Sequence, residues 1–199
     1  MVTARQNGFG AMQGRRPAVI LGLFLRILIF GACLQSSGAW AKDAIDPFVG
    51  RYAGQAEFTE AGAQIKRDLG VTISKRKDGF TVNWKASTSR PSGKVKIAEH
   101  SVDFVPTKRP NVFMSAMKTN VFGGQVPLDP MQGHPYVWAR IDGDTLTVYA
   151  LYINDDGGYE FQIFDRTLDP KGLKLKFERI RDGERLRAID TLLVRAGKG

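Results

Sequence analysis

The chain has 199 residues, 25% of them charged and 43% hydrophobic, a balance that excludes wholesale disorder and suits one globular domain. Its formal charge is +9, but four of its 29 basic residues and none of its 20 acidic ones fall in residues 1–41, so the remainder carries only +5. The basicity of the whole chain therefore overstates that of the folded part, and with Cys33 as the one cysteine a disulfide framework is excluded.

Residues 1–41 read as a secretory signal peptide. Arg5, Arg15 and Arg16 form a basic start, an apolar stretch runs from Ala18 to Leu34 broken by Arg26, and Ala39-Trp40-Ala41 supplies an Ala-x-Ala end, so cleavage is expected after Ala41. The lead before Pro17 is long, and a start at Met12 would give a signal of ordinary length. Three other readings use the same residues. The run could stay as an anchor, but it is short and charged. Arg15-Arg16 could begin a twin-arginine signal, but Pro17 and Ala18 follow it poorly. Phe30-Gly31-Ala32-Cys33 is a weak version of a lipoprotein box, in which Leu or Ile usually stands three before the Cys. The expected location is the periplasm or another exported compartment, and residues 42–199 form the domain. Without cysteine it must be held by its core, which a domain of this length can build.

Strand alternation recurs through this domain, with turn signals between the runs. Phe48 to Phe58 opens it. Leu69, Val71 and Ile73 alternate with polar or small neighbours, and Lys77-Asp78-Gly79 turns into Phe80, Val82 and Trp84. Lys94 to Phe104 and Val112 to Met117 follow, then Tyr136 to Ile141, Leu146 to Ile153, Tyr159 to Phe164, Leu173 to Phe177 and a last run ending near Val194. This is an all-β chain of about ten strands joined mainly by short hairpins. Such a meander leaves unpaired edges, and closing into an antiparallel barrel removes them. Ten strands enclose more space than side chains readily fill, so the architecture implies a pocket. A membrane barrel would also be exported and alternating, but Lys174 and Lys176 opposite Leu173, Leu175 and Phe177 suit a wall with its apolar face inward, and Arg195 to Gly199 lack a terminal aromatic.

The segment Phe48-Val49-Gly50-Arg51-Tyr52-Ala53-Gly54 resembles the opening Gly-x-Trp segment of lipocalins, with Tyr52 in place of Trp. The hairpin-rich meander after it is similar to lipocalin-like (calycin) barrels, and the chain as a whole resembles exported envelope proteins of alphaproteobacteria. The resemblance implies a barrel that binds a small apolar or amphipathic molecule, and it brings no catalytic activity.

Tyr136, Trp138 and Arg140 share one face of a strand. Turned inward, they would line the cavity and suit a ligand with an apolar body and an anionic end, with Trp84 as a further wall. Turned outward, they leave Val137, Ala139 and Ile141 as core. Lys118 to Pro135, with Phe122 before the Gly123-Gly124 pair, is long and unpatterned; it reads as a lid, a membrane-dipping loop or a plug. The expected ligand-binding residues are Trp84, Phe122, Tyr136, Trp138 and Arg140.

Asn154-Asp155-Asp156-Gly157-Gly158 clusters carboxylates but lacks the later Glu of a hand-type calcium loop, and reads as a hairpin turn. His100 and His134 stand in no metal-binding pattern, so no metal is expected. There is no Gly-x-Ser-x-Gly elbow and no Gly-rich phosphate loop, so no catalytic residue and no cofactor are assigned. Basic residues gather around Lys66, Arg67, Lys75, Arg76 and Lys77, and again from Lys171 to Arg187. They read as a solvated face, or as a weak contact with an anionic membrane surface rather than with nucleic acid. Two functions remain: an envelope protein binding a small amphipathic ligand, or an envelope interaction or assembly factor with a filled barrel.

Overall fold

The computed structural model describes residues 44–60, 62–119, 125–126 and 128–197. The expected signal peptide, its Cys33 and the expected cut lie outside them, as does Phe122.

The elements in order are a 3-10 turn (Asp46–Phe48), β1 (Gly50–Glu60), β2 (Ala63–Arg76), β3 (Gly79–Ser89), β4 (Val95–Pro106), β5 (Val112–Ser115), β6 (Lys118–Thr119), β7 (Gln125–Val126), a second 3-10 turn (Pro130–Gln132), β8 (Tyr136–Asp142), β9 (Thr145–Ile153), β10 (Tyr159–Asp169), β11 (Gly172–Arg181) and β12 (Glu184–Arg195). Ten of these strands close into an antiparallel barrel in the cyclic order β1-β12-β11-β10-β9-β8-β5-β4-β3-β2. The short β6 and β7 pair only with each other, in the segment between β5 and β8. The all-β barrel expected from alternation is thus the fold. Two boundaries differ from the alternation reading. Phe48 belongs to the first 3-10 turn, which Pro47 helps to initiate. And β2 begins at Ala63, so Ile65 and Arg67 continue the inward series of Leu69, Val71 and Ile73.

Turn chemistry sets the register at the hairpins. Asp182 and Gly183 both have positive φ (48° and 85°), the conformation a tight two-residue turn requires. Gly79 serves another purpose: a Cβ there would lie 1.9 Å from the carbonyl oxygen of Phe104, so β4 can approach only a glycine. In β12 a bulge lies opposite Arg179 and Ile180, so that Arg179 faces Arg187 and Ile180 faces Arg185. Leu186 is the extra residue, and beyond it the strand is re-aimed.

The packed core occupies one half of the barrel. Phe80, Val82, Phe104, Phe113, Leu146, Val148, Leu173 and Leu193 are fully buried there. Ile45 and Phe48 of the N-terminal turn are inserted beneath them, each no more than 2% exposed. Arg195 latches this plug. Its guanidinium donates to the carbonyls of Val49 (2.9 Å) and Pro47 (3.3 Å) and to the Tyr52 hydroxyl (2.8 Å), and it lies 4.9 Å from the centre of the Tyr52 ring. The Tyr52 hydroxyl in turn donates to the carbonyl of Phe48 at 2.8 Å. Burial raises the Tyr52 pKa, and the neighbouring Arg195 only partly offsets it. An ion pair between Lys75 and Asp46 ties the plug to β2.

Because Phe48 fills the closed end, Phe48→Ala should lower the unfolding free energy by about 3–5 kcal/mol, read from urea denaturation midpoints.

Candidate functional site

The other half of the barrel is not filled. A cavity of about 370 Å³ opens between the ends of β1–β4 and β10–β12. Its floor is an aromatic layer that crosses the interior. Trp84 of β3 lies 5.5 Å from Phe164 of β10, and Phe164 lies 4.8 Å from Phe177 of β11, measured between ring centres. His100 of β4 stacks on Trp84 at 5.3 Å. Leu69, Leu175 and Ile189 complete the apolar wall.

Above this layer the inward positions change character. The series Leu173, Leu175, Phe177 of β11 continues into Arg179; Leu193 and Ile189 of β12 lead to Arg187; Leu69 of β2 leads back to Arg67. Glu60 ends β1, Arg90 follows β3, and Lys96 stands near the start of β4. The rim of the cavity is therefore built from charged side chains at inward strand positions. Glu60 is bonded by Arg187 and, at 3.1 Å, by Arg90. Glu160 of β10 is buried and receives Arg179 and Gln162. Burial alone would raise its pKa, but these two hydrogen bonds and the positive charges of Arg179 and Arg181 outweigh it and hold the carboxyl below its usual range. Burial raises the nearby Tyr152 hydroxyl, as does the Glu160 charge.

Beneath the floor lies Arg166 of β10, 1% exposed. Its guanidinium carbon sits 5.4 Å from the Phe164 ring centre and 6.0 Å from that of Trp84. Its one hydrogen bond among the described residues is a long one to the Phe164 carbonyl, 3.5 Å, and its Nε has no partner. Burial lowers its pKa to about 10 against the opposing pull of Asp165, so it stays a cation at neutral pH, stabilised chiefly by the faces of the two rings.

Of the expected site residues, Trp84 lies in the cavity. Tyr136, Trp138 and Arg140 do not share it. Val137, Ala139 and Ile141 are the buried face of β8, so the other three point out of the barrel. There Trp138 stacks on Tyr149 (4.9 Å) and Phe161 (5.7 Å), with Tyr136 at its edge, and Arg140 pairs with Asp142. These residues border a surface groove that also takes in Lys108, Arg109 and Met114. At about 590 Å³ it exceeds the interior cavity, and Thr107, Val112 and the buried Phe113 also line it. The expected cavity wall of Tyr136, Trp138 and Arg140 is thus corrected to an outer aromatic face. Both faces of Tyr136–Ile141 carry large apolar side chains, so alternation alone could not choose between them.

Phe122 lies outside the described residues. Among the described residues of the segment from Ala116 to Pro135, none lines the cavity. That segment carries the β6–β7 pair, and its second 3-10 turn is capped by Asp129, whose carboxylate accepts from the Met131 amide at 2.9 Å. Asn154 to Gly158 form a hairpin loop closed by the Asn154 amide on the Gly158 carbonyl, 2.7 Å.

By sequence, Arg67, Arg179 and Arg187 belong to basic clusters that read as a solvated face or a contact with an anionic surface. The signal that could have found them is the continuation of period two beyond the last apolar residue: Phe177 to Arg179, Ile189 to Arg187, Leu69 to Arg67. Lys174 and Lys176 do face solvent, and the bulge at Leu186 turns Arg185 toward Glu178 on the outside, at 3.7 Å.

No family model matches the chain, and no curated protein or solved structure matches it either.

Two expectations follow from this geometry. Trp138→Ala should leave binding in the interior cavity unchanged and cost about 1–3 kcal/mol of stability through its lost ring contacts, read by probe titration and urea melts of the same sample. The Glu160 contribution is present above its unfolded pKa and is lost as pH falls through the depressed folded one. The unfolding midpoint should therefore drop from about pH 4.5 downward, and Glu160→Gln should flatten that drop.

Proposed function

We propose that this protein is an exported, lipocalin-like binding protein that holds a small amphipathic ligand in the open half of its barrel. The observation that carries this reading is the asymmetry of the interior. One half is filled by buried side chains and latched by Arg195. The other half is a cup of drug-ligand dimensions, floored by Trp84, Phe164 and Phe177 and rimmed by polar groups. A flat or extended apolar body would lie on the aromatic floor, where π faces and aliphatic walls give contact area. The polar part would meet the rim. Nothing in this reading requires a reaction step, so the role is carriage or sequestration rather than catalysis. The signal-like pattern of residues 1–41 supports a role in the cell envelope.

A second reading is supported by the outer wall. Tyr136 and Tyr159 are each at least 40% exposed beside the Trp138, Tyr149 and Phe161 stack. An apolar patch of this kind suits contact with another envelope protein. In that case the cup would be incidental.

Native mass spectrometry of protein purified from the periplasm, with solvent extraction of the same sample, separates the two. The binding reading expects a stoichiometric small molecule, and its loss in Trp84→Ala while Trp138→Ala retains it. An empty wild-type protein with a co-purifying partner lost in Trp138→Ala would overturn it.

A further inference from the structure

We propose that the ligand of this cavity is an acid, and that its carboxylate, sulfonate or phosphate group is held by Arg67 together with Arg187 and Arg179. This rests on the binding reading above and specifies which amphipathic molecules the cup takes.

The charge inventory of the cup points this way. Arg67, Arg90, Lys96, Arg179 and Arg187 line it, and Glu60 is the single carboxylate among the lining residues. Glu60 is already divided between Arg90 and Arg187. Glu160, inward on β10 but outside the cavity lining, is taken by Arg179. Arg67 is left over. Its Nε donates to the Thr88 hydroxyl at 2.9 Å, and among the described residues it meets no carboxylate. The Arg67 and Arg187 guanidinium carbons lie 5.0 Å and 4.8 Å from the centre of one ring, that of Phe58, so the two like charges are no more than about 10 Å apart, within the range over which charges interact. Burial lowers the Arg67 pKa, and the charges of Arg187, Arg179 and Arg90 push it further down against the pull of Glu60. The Nε of Arg179 is buried without a partner.

Half-buried like charges at one end of a low-dielectric cup repel, and water screens them only in part. Such an arrangement is relaxed by a counter-charge placed among them. The guanidinium fork suits a planar or tetrahedral oxyanion, which can accept two parallel bonds from one arginine. The aromatic floor lies within the same cup, so one molecule can satisfy both. Its acid group would reach the arginines on the wall formed by β2, β11 and β12, and its apolar body would rest on Trp84 and Phe164. A neutral amphiphile would leave Arg67 without a counter-charge and would forfeit its strongest contact.

The test uses two fluorescent probes with the same ring system on the chain lacking residues 1–41: anilinonaphthalene sulfonate, and phenylnaphthylamine, which lacks the sulfonate. The wild type should bind the sulfonate at least about tenfold more tightly than the neutral probe. Arg67→Met should lower sulfonate affinity by about tenfold and leave neutral-probe affinity unchanged. Trp84→Ala should weaken both probes, which assigns the signal to the cup and not to the outer aromatic face. Lys174→Met removes one positive charge from the outer wall and should change neither. Circular dichroism and melting of Arg67→Met establish that it is folded, and Arg187→Met takes its place if it is not. Equal affinity for both probes, or a sulfonate preference that survives the arginine substitution in the folded variant, overturns the acid proposal and leaves the binding reading standing. If neither probe binds at a site sensitive to Trp84→Ala, both readings are overturned.

Discussion

Closing ten antiparallel strands sets a circumference, and that circumference encloses more volume than inward side chains can fill along its whole length. The rest of the structure answers this constraint. At one end the chain fills the space with itself: the turn Asp46–Phe48 inserts Ile45 and Phe48, and Arg195 of the last strand bonds to the carbonyls on either side of Phe48. The first and last strands are neighbours in the barrel, so this one arginine secures both the plug and the seam where the sheet closes. At the other end no such insertion occurs among the described residues, and the cup remains.

The cup follows from a switch in what the inward positions carry. Below the layer of Trp84, Phe164 and Phe177 they are aliphatic and aromatic. Above it they are Arg67, Arg179, Arg187 and Glu60. Charged groups cannot pack against one another without partners, so they hold the walls apart where apolar groups would have drawn them together. The outer wall over β8, β9 and β10 shows the complementary change: Trp138, Tyr149 and Phe161 stand outside while Glu160 and Gln162 stand inside. Arg166 sits where the two regimes meet. It is wholly buried, and the faces of Phe164 and Trp84 stand in for the carboxylate it lacks. The floor of the cup thus has a positive charge beneath it and arginines above it.

The barrel was legible because its strands obey one local rule. Side chains alternate, Gly and Asp mark the hairpins, and β11 reads as Leu-Lys-Leu-Lys-Phe, with one face unmistakably apolar. The site was legible only in part. Trp84 was found because it extends the series Phe80, Val82. For Tyr136, Trp138 and Arg140 both orientations stayed open, because Val137, Ala139 and Ile141 are apolar too, and a strand with large apolar side chains on both faces carries no inward signal of its own. The arginines were missed for the opposite reason. A charged residue is assigned to solvent by default, and only the neighbours in the barrel show that solvent here is an interior cup.

By itself, the sequence determined the strand count, the hairpins, the closed sheet and the lack of any disulfide, because these depend on period, turn chemistry and composition along the chain. The tertiary structure alone decided which face of β8 looks inward, that the open half is lined by arginine, and that Phe48 plugs the far end. Those outcomes depend on which strands become neighbours across the barrel. The pairing of β12 with β1 brings Arg195 to Tyr52 and Arg187 to Glu60 across more than a hundred residues of chain, a separation over which no local pattern carries information.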